Sequence, residues 1–156
     1  THARVDPQRI GSIGHSLGGH NTMFLATFDT RVKAMVSCCG WTPHCHYYNG
    51  DLKGWTGPRY CPRMTEYLGR CAEVPFDYYE MVAGFAPRAF LTVSPLHDSN
   101  FDNAGCRLVM DAAREVFSLH GVKDHLVARY PDDKHDFPPA DREAAYAFLD
   151  QHLQLK

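Results

Sequence analysis

Three residue types set in a telling order, a serine between glycines, an aspartate in a middle loop and a histidine in a late loop, are what this sequence offers for chemistry. Ser16 sits in Gly14-His15-Ser16-Leu17-Gly18-Gly19, directly after a short apolar run and directly before a helix-period segment. A strand-to-helix turn this tight holds its middle residue in a strained conformation, relieved by small residues two before and two after it. The Ser16 hydroxyl then stands at the tip, with the positive end of the next helix aimed at it and the Leu17 N–H offered as an oxyanion donor. A serine hydroxyl is a poor nucleophile at neutral pH; it needs a base, and the base needs an orienting carboxylate. His135, in Asp133-Lys134-His135-Asp136-Phe137-Pro138, is the expected general base. Asp98 is the preferred acid, with Asp102 as an alternative that could instead cap the helix starting near Ala104.

A bare G-x-S-x-G arises by chance in roughly one chain in twenty of this length. The weight here comes from context: Ile10 and Ile13 before the turn, Leu17, Met23, Phe24 and Ala26 after it, and Gly19 for close helix–strand packing. The bland reading is a glycine-rich turn in which Ser16 caps a helix. His15 either shields the elbow or touches substrate, and Trp41, Trp55 and Tyr60 are expected to contribute to the substrate pocket. His20 is expected one turn into the helix, facing a neighbouring loop. His44-Cys45-His46 has the look of metal ligands, but adjacent residues rarely converge on one ion and no second pair stands at suitable spacing, so no metal site is expected. No cofactor is implied.

Four apolar runs rich in β-branched or aromatic residues must position these groups: Arg9 to Gly14, Val32 to Cys38, Ala89 to Ser94 and His125 to Tyr130. Each is followed by a turn or helix pattern, which argues for an α/β fold: a mostly parallel sheet of about four strands with flanking helices. In such sheets catalytic groups sit on loops at the carboxyl ends of strands, where Ser16, Asp98 and His135 all fall. One helix runs from the elbow to near Phe28. A second spans Ala104 to His120, with Leu108, Val109, Ala112, Ala113, Val116 and Phe117 on one face and Gly121 closing it. A third follows Pro138-Pro139, carries Asp141 and Glu143 in its first turn, and lines up Ala145, Phe148, Leu149 and Leu153.

Residues 40–87 differ. They concentrate Trp41, Tyr47, Tyr48, Trp55, Tyr60, Tyr67, Phe76, Tyr78 and Tyr79 among glycines, prolines and polar residues, with short helices expected at Arg63 to Leu68 and Asp77 to Phe85. A connection this long is usually functional, and about 41–86 is read as a cap-like insertion over the strand ends; an aromatic satellite core fits the same composition. The chain of 156 residues is otherwise one domain, 44% hydrophobic and 12% aromatic. A net charge of −2 with interleaved signs gives no footprint for nucleic acid, and no apolar run approaches the ~18 residues of a membrane span. Of six cysteines, Cys38 and Cys39 read as small buried hydrophobes, while Cys61 and Cys71 could bridge in an oxidising compartment. The opening THARVDPQR has neither an initiating Met nor an apolar signal core, so a processed or truncated piece is expected and localisation stays open.

Gly14-His15-Ser16-Leu17-Gly18-Gly19, Ala86-Pro87-Arg88 before a strand ending at Leu96-His97-Asp98, and Tyr130-Pro131 with His135-Asp136-Phe137-Pro138 together resemble the C-terminal half of α/β-hydrolases. The nearest likeness is to dienelactone-hydrolase and acetyl-xylan-esterase-like serine esterases. It covers nearly the whole chain and implies Ser16 as nucleophile, His135 as base and Asp98 as orienting acid. Residues Trp55 to Tyr60 look like that group's variable cap. Lys134 stands before the base where such enzymes often carry glycine. The early strands and the loop giving a second oxyanion N–H have no counterpart before Thr1, so the elbow strand is expected to be a sheet edge, completed in a larger hydrolase or by a second copy in a homo-oligomer. The expected function is cleavage of a small carboxylic ester through an acyl-enzyme. The alternatives are a prolyl-oligopeptidase-type serine peptidase and a non-catalytic interaction module.

Overall fold

The structure is a computed structural model that describes residues 5–154. Four strands, β1 (Ile10–His15), β2 (Val32–Cys38), β3 (Ala89–Val93) and β4 (Leu126–Arg129), pair all-parallel in the order β1-β2-β3-β4. The helices are α1 (Leu17–Phe28), α2 (Tyr78–Ala83), α3 (Asn103–Leu119) and α4 (Pro139–Leu153). This is a partial α/β-hydrolase fold.

Strands in a parallel sheet covered on both faces read as continuous apolar runs rather than alternating ones. β3 is buried at every position and β2 at all but Lys33. Side chains of opposite parity feed two cores. Met35 and Phe90 join Met23 and Ala26 of α1 and Val109, Met110, Ala113 and Phe117 of α3. Ala34, Val36, Leu91 and Val93 join Ala145, Phe148 and Leu153 of α4. The buried stripe of α3 is rotated from the expected face: Met110 points in, whereas Leu108 is exposed. Gly121 ends the helix at φ 72°, and the Val122 N–H reaches the Phe117 carbonyl at 3.0 Å, a C-terminal closure that glycine favours.

Residues 41–86 are held differently, by short 3₁₀ turns, by α2 with its Asp77 and Glu80 capping box, and by a disulfide. The disulfide joins Cys45 to Cys71, not Cys61 to Cys71. The Cys61 N–H bonds back to the Trp55 carbonyl at 3.0 Å, folding that cysteine against the aromatic cluster, while Cys71 lies beside the 45–50 turn. Among the described residues no helix is long and apolar enough to cross a membrane.

Candidate active site

Register aligns the carboxyl ends of the strands. His15 pairs with Cys38 and Cys38 with Val93. One residue further on, the ladder continues: the Ser16 N–H donates to the Cys38 carbonyl (2.8 Å), the Cys39 N–H to that of Val93 (3.0 Å) and the Ser94 N–H to that of Arg129 (2.9 Å). The loops leaving these ends therefore start from one rim.

Ser16 sits at φ 54°, ψ −119°, a conformation that costs a non-glycine residue about 1–3 kcal/mol and persists only where its surroundings impose it. A Cβ at Gly14 would collide with the backbone of Gly18, and one at Gly19 would stand 2.8 Å from the Cys38 carbonyl oxygen. These two glycines let the chain double back; Gly18 itself faces open space. Leu17 opens α1, and the first N–H groups of a helix have no partner within it, so the Leu17 amide belongs to the positive helix end beside Ser16.

Beyond β3, Asp98 folds its loop into a tight turn, one carboxylate oxygen accepting the N–H of Asn100 (2.7 Å) and of Phe101 (3.1 Å). The same carboxylate accepts from His135 Nδ1, at 3.0 and 2.9 Å. His135 Nε2 lies 2.9 Å from Ser16 Oγ. The Asp98 side chain is 1% exposed and that of His135 23%, so a buried charge orients an imidazole whose far edge reaches solvent. Phe101 and His15 flank that ring at 5.9 and 5.1 Å between centroids. Burial, then the neighbouring His135, hold the His15 imidazole below its ordinary pKa.

Asp102 takes no part in this row. It caps α3, accepting from Ala104 and Gly105 N–H, and pairs with His46 Nδ1 at 2.6 Å. Burial acts to raise its pKa, but the His46 contact and the two amides outweigh it and keep the carboxyl low. A polar cleft of about 490 Å³ borders Asp98 on this side, lined by His46, Tyr48, Ser99 and Asn100 among others.

Two expected pocket residues belong elsewhere. Trp41 is buried in the α1/α3 core, stacked on Tyr78 and packed near Phe90. Trp55 is buried too, stacked on His20 at 4.4 Å within the aromatic cluster. Tyr60 is half-buried, edge-on to Trp55. The His44-Cys45-His46 run diverges: His44 turns to Asp77, Cys45 to Cys71 and His46 to Asp102. Residue patterning alone missed that the end of β2 lies between the strands carrying Ser16 and Asp98, which puts Cys38 and Cys39 beside the row; the strand order was the signal for it.

The family model described as "Prolyl oligopeptidase family" matches residues 1–156. The chain belongs to the prolyl oligopeptidase family. It is also 22% identical over 98% of its length to the carbohydrate esterase MZ0003 of an unknown prokaryotic organism, and 28% identical over 77% of its length to the putative hydrolase YtaP of Bacillus subtilis (strain 168). It spans 40% and 38% of the lengths of those two proteins, less than half of each. Among solved structures, the glucuronoyl esterase from Solibacter usitatus superposes with a TM-score of 0.78 at 24% identity, over 97% of this chain and 44% of that one. Within the prolyl oligopeptidase family, then, this chain shares its fold with esterases, in keeping with the likeness read from its motifs.

Proposed function

We propose that this chain carries the nucleophile, base and acid of a serine hydrolase that cleaves carboxylic esters, with esters of carbohydrates as the substrate class. The observation that carries the proposal is the row of hydrogen bonds Ser16 Oγ to His135 Nε2 to Asp98, built from three loops of one rim. Asp98 accepts a hydrogen bond from Nδ1–H, which leaves the Nε2 lone pair facing Ser16 and stabilises the imidazolium that forms. His135 takes the hydroxyl proton as Oγ attacks the ester carbonyl, then gives it to the departing alcohol. The Leu17 N–H, at the helix start, steadies the oxyanion. Water then attacks the acyl-enzyme with His135 again as base, releasing the acid. His15 and Tyr60, each half-buried, are the proposed substrate contacts that remain.

The carbohydrate-ester class is supported by the relative named a carbohydrate esterase, which the chain matches along 98% of its length. Family membership itself favours a second reading, a serine peptidase acting on prolyl amides. A fluorophosphonate probe is expected to label Ser16 and to leave Ser16→Ala unlabelled; no adduct on the native chain overturns the catalytic reading in favour of an interaction module. Comparing methyl uronate and acyl sugar esters with prolyl anilides separates the two hydrolases, faster turnover of the amides overturning the esterase. The domain is proposed as the half of a larger sheet, with 41–86 as a cap and a further strand pairing at the β1 edge, supplied by a second copy or by chain outside this sequence. Light scattering on an active preparation tests the second copy: a monomeric mass excludes it.

A further inference from the structure

Neighbouring residues on a strand point to opposite faces, so adjacent cysteines do not ordinarily meet. Cys38 and Cys39 do. Cys39 leaves β2 at φ 48°, a left-handed conformation that is costly for a side-chain-bearing residue, and its Sγ turns back to 3.7 Å from that of Cys38. Both thiols point at one oxygen, the Asp136 carbonyl, at 3.4 and 3.3 Å. A ring nitrogen of His15 and the two sulfurs all lie within 4.8 Å of one another. Among the described residues His15 Nε2 is buried and makes no hydrogen bond, a polar atom without the partner that burial ordinarily demands.

We propose that His15, Cys38, Cys39 and the Asp136 carbonyl form a binding site for a soft divalent cation such as Zn²⁺ or Cd²⁺. Zinc–thiolate bonds of about 2.3 Å at a tetrahedral angle set their sulfurs about 3.8 Å apart, the spacing this pair already has. Two sulfurs, an imidazole and an oxygen complete four positions. On binding, each thiol gives its proton to solvent and its sulfur to the ion, so M²⁺ enters and two protons leave, with net charge at the site unchanged. His15, the partly exposed member, is the side of entry. The ligands are chain neighbours of Ser16 and His135, so the ion ties the elbow, the end of β2 and the base loop together. The site rests on this geometry alone and stands whether or not Ser16 turns over an ester.

Cadmium titration of the full chain under argon, with the Cys45–Cys71 disulfide intact, tests it. One Cd²⁺ per chain is expected, with an ultraviolet thiolate-to-metal band and a rise in melting temperature. Both signals disappear in the Cys38→Ser/Cys39→Ser double variant and remain in Cys61→Ser. His15→Ala, which keeps both thiols, is expected to bind at least tenfold more weakly, and it tests the site even if the double variant does not fold. A band that survives the double variant, depends on Cys61 or is unaffected by His15→Ala overturns the proposal. So does a native chain that binds no cadmium, or whose intact mass is lower by two hydrogens because Cys38 and Cys39 are joined.

Discussion

The row Ser16–His135–Asp98 and the segment 41–86 are held on different terms. Ser16 and Asp98 follow parallel strands whose backbone ladder sets where their loops begin, and His135 follows a third. Segment 41–86 has no strand of its own among the described residues; aromatic stacking around Trp55 and Tyr47, one disulfide and a short capped helix keep it in place. Hydrogen bonds between strands fix position over long separations at little cost in side-chain choice, whereas a loop ordered by its side chains must recover the conformational entropy of each residue by packing. Damage to the first region is therefore expected to remove turnover at nearly unchanged stability. Damage to the second is expected to do the reverse.

The sharpest contrast pairs two aspartates four residues apart. Asp98→Asn removes the acceptor that holds the His135 tautomer and is expected to lower kcat by about 10⁴ with little change in melting temperature. Asp102→Ala removes the α3 cap and the His46 pair, with an expected loss of about 1–2 kcal/mol in stability and kcat within about threefold of the native value. Steady-state kinetics beside denaturant unfolding measures both. Equal kinetic losses in the two variants would break the division.

Next in size is the disulfide. Closing 26 residues between Cys45 and Cys71 restricts the unfolded chain by about 3.5 kcal/mol in the chain-entropy account. Cys45→Ser/Cys71→Ser is expected to lose about that much stability in denaturant melts while each folded molecule keeps its activity. A loss of activity without a loss of stability would show the segment to be catalytic machinery.

His20 offers a pH test of the same cluster. Burial, with His44 beside it, lowers its pKa from 6.5 to about 4. The unfolded chain then binds a proton that the folded chain refuses, so the stability contribution is full above pH 6.5 and falls away as pH drops towards 4. The expected loss is about 3 kcal/mol across that window. His20→Gln flattens this part of the stability profile, read as the difference from the native protein so that other groups cancel. An identical slope in the variant would place the titration elsewhere.

The same contrast decides what the sequence could tell. β2 begins and ends where its apolar run does, Val32 to Cys38, and α1 runs from the elbow to Phe28, because period and turn residues are local properties. The expected order of Ser16, Asp98 and His135 corresponds to a contiguous row for the same reason: each stands just past a legible strand. Which of Cys61 or Cys45 reaches Cys71, and that Trp41 and Trp55 point inward, depends on how unequal side chains fill a volume. Nothing in composition carries that. Leu108 shows the limit even within a helix, since it and Met110 differ only in which way a neighbouring element leaves room. The convergence of Cys38 and Cys39 required a positive φ at Cys39 itself, although the residue type suited to that conformation, Gly40, stands one place further on.

The smallest effect tests the elbow most finely. Gly14 and Gly18 bracket Ser16 symmetrically in the motif, but their surroundings differ: a Cβ on Gly14 meets the Gly18 backbone, whereas a Cβ on Gly18 meets nothing within 4 Å. Gly18 lies in the first turn of α1 with ordinary helical backbone, where alanine lowers the entropy of the unfolded chain without strain. Gly18→Ala is therefore expected to raise stability by about 0.5–1 kcal/mol, with Ser16 labelling by a fluorophosphonate unchanged. A slower labelling rate at that gain in stability would mean that the second glycine serves substrate approach rather than the turn, and would move Gly18 from the scaffold into the site.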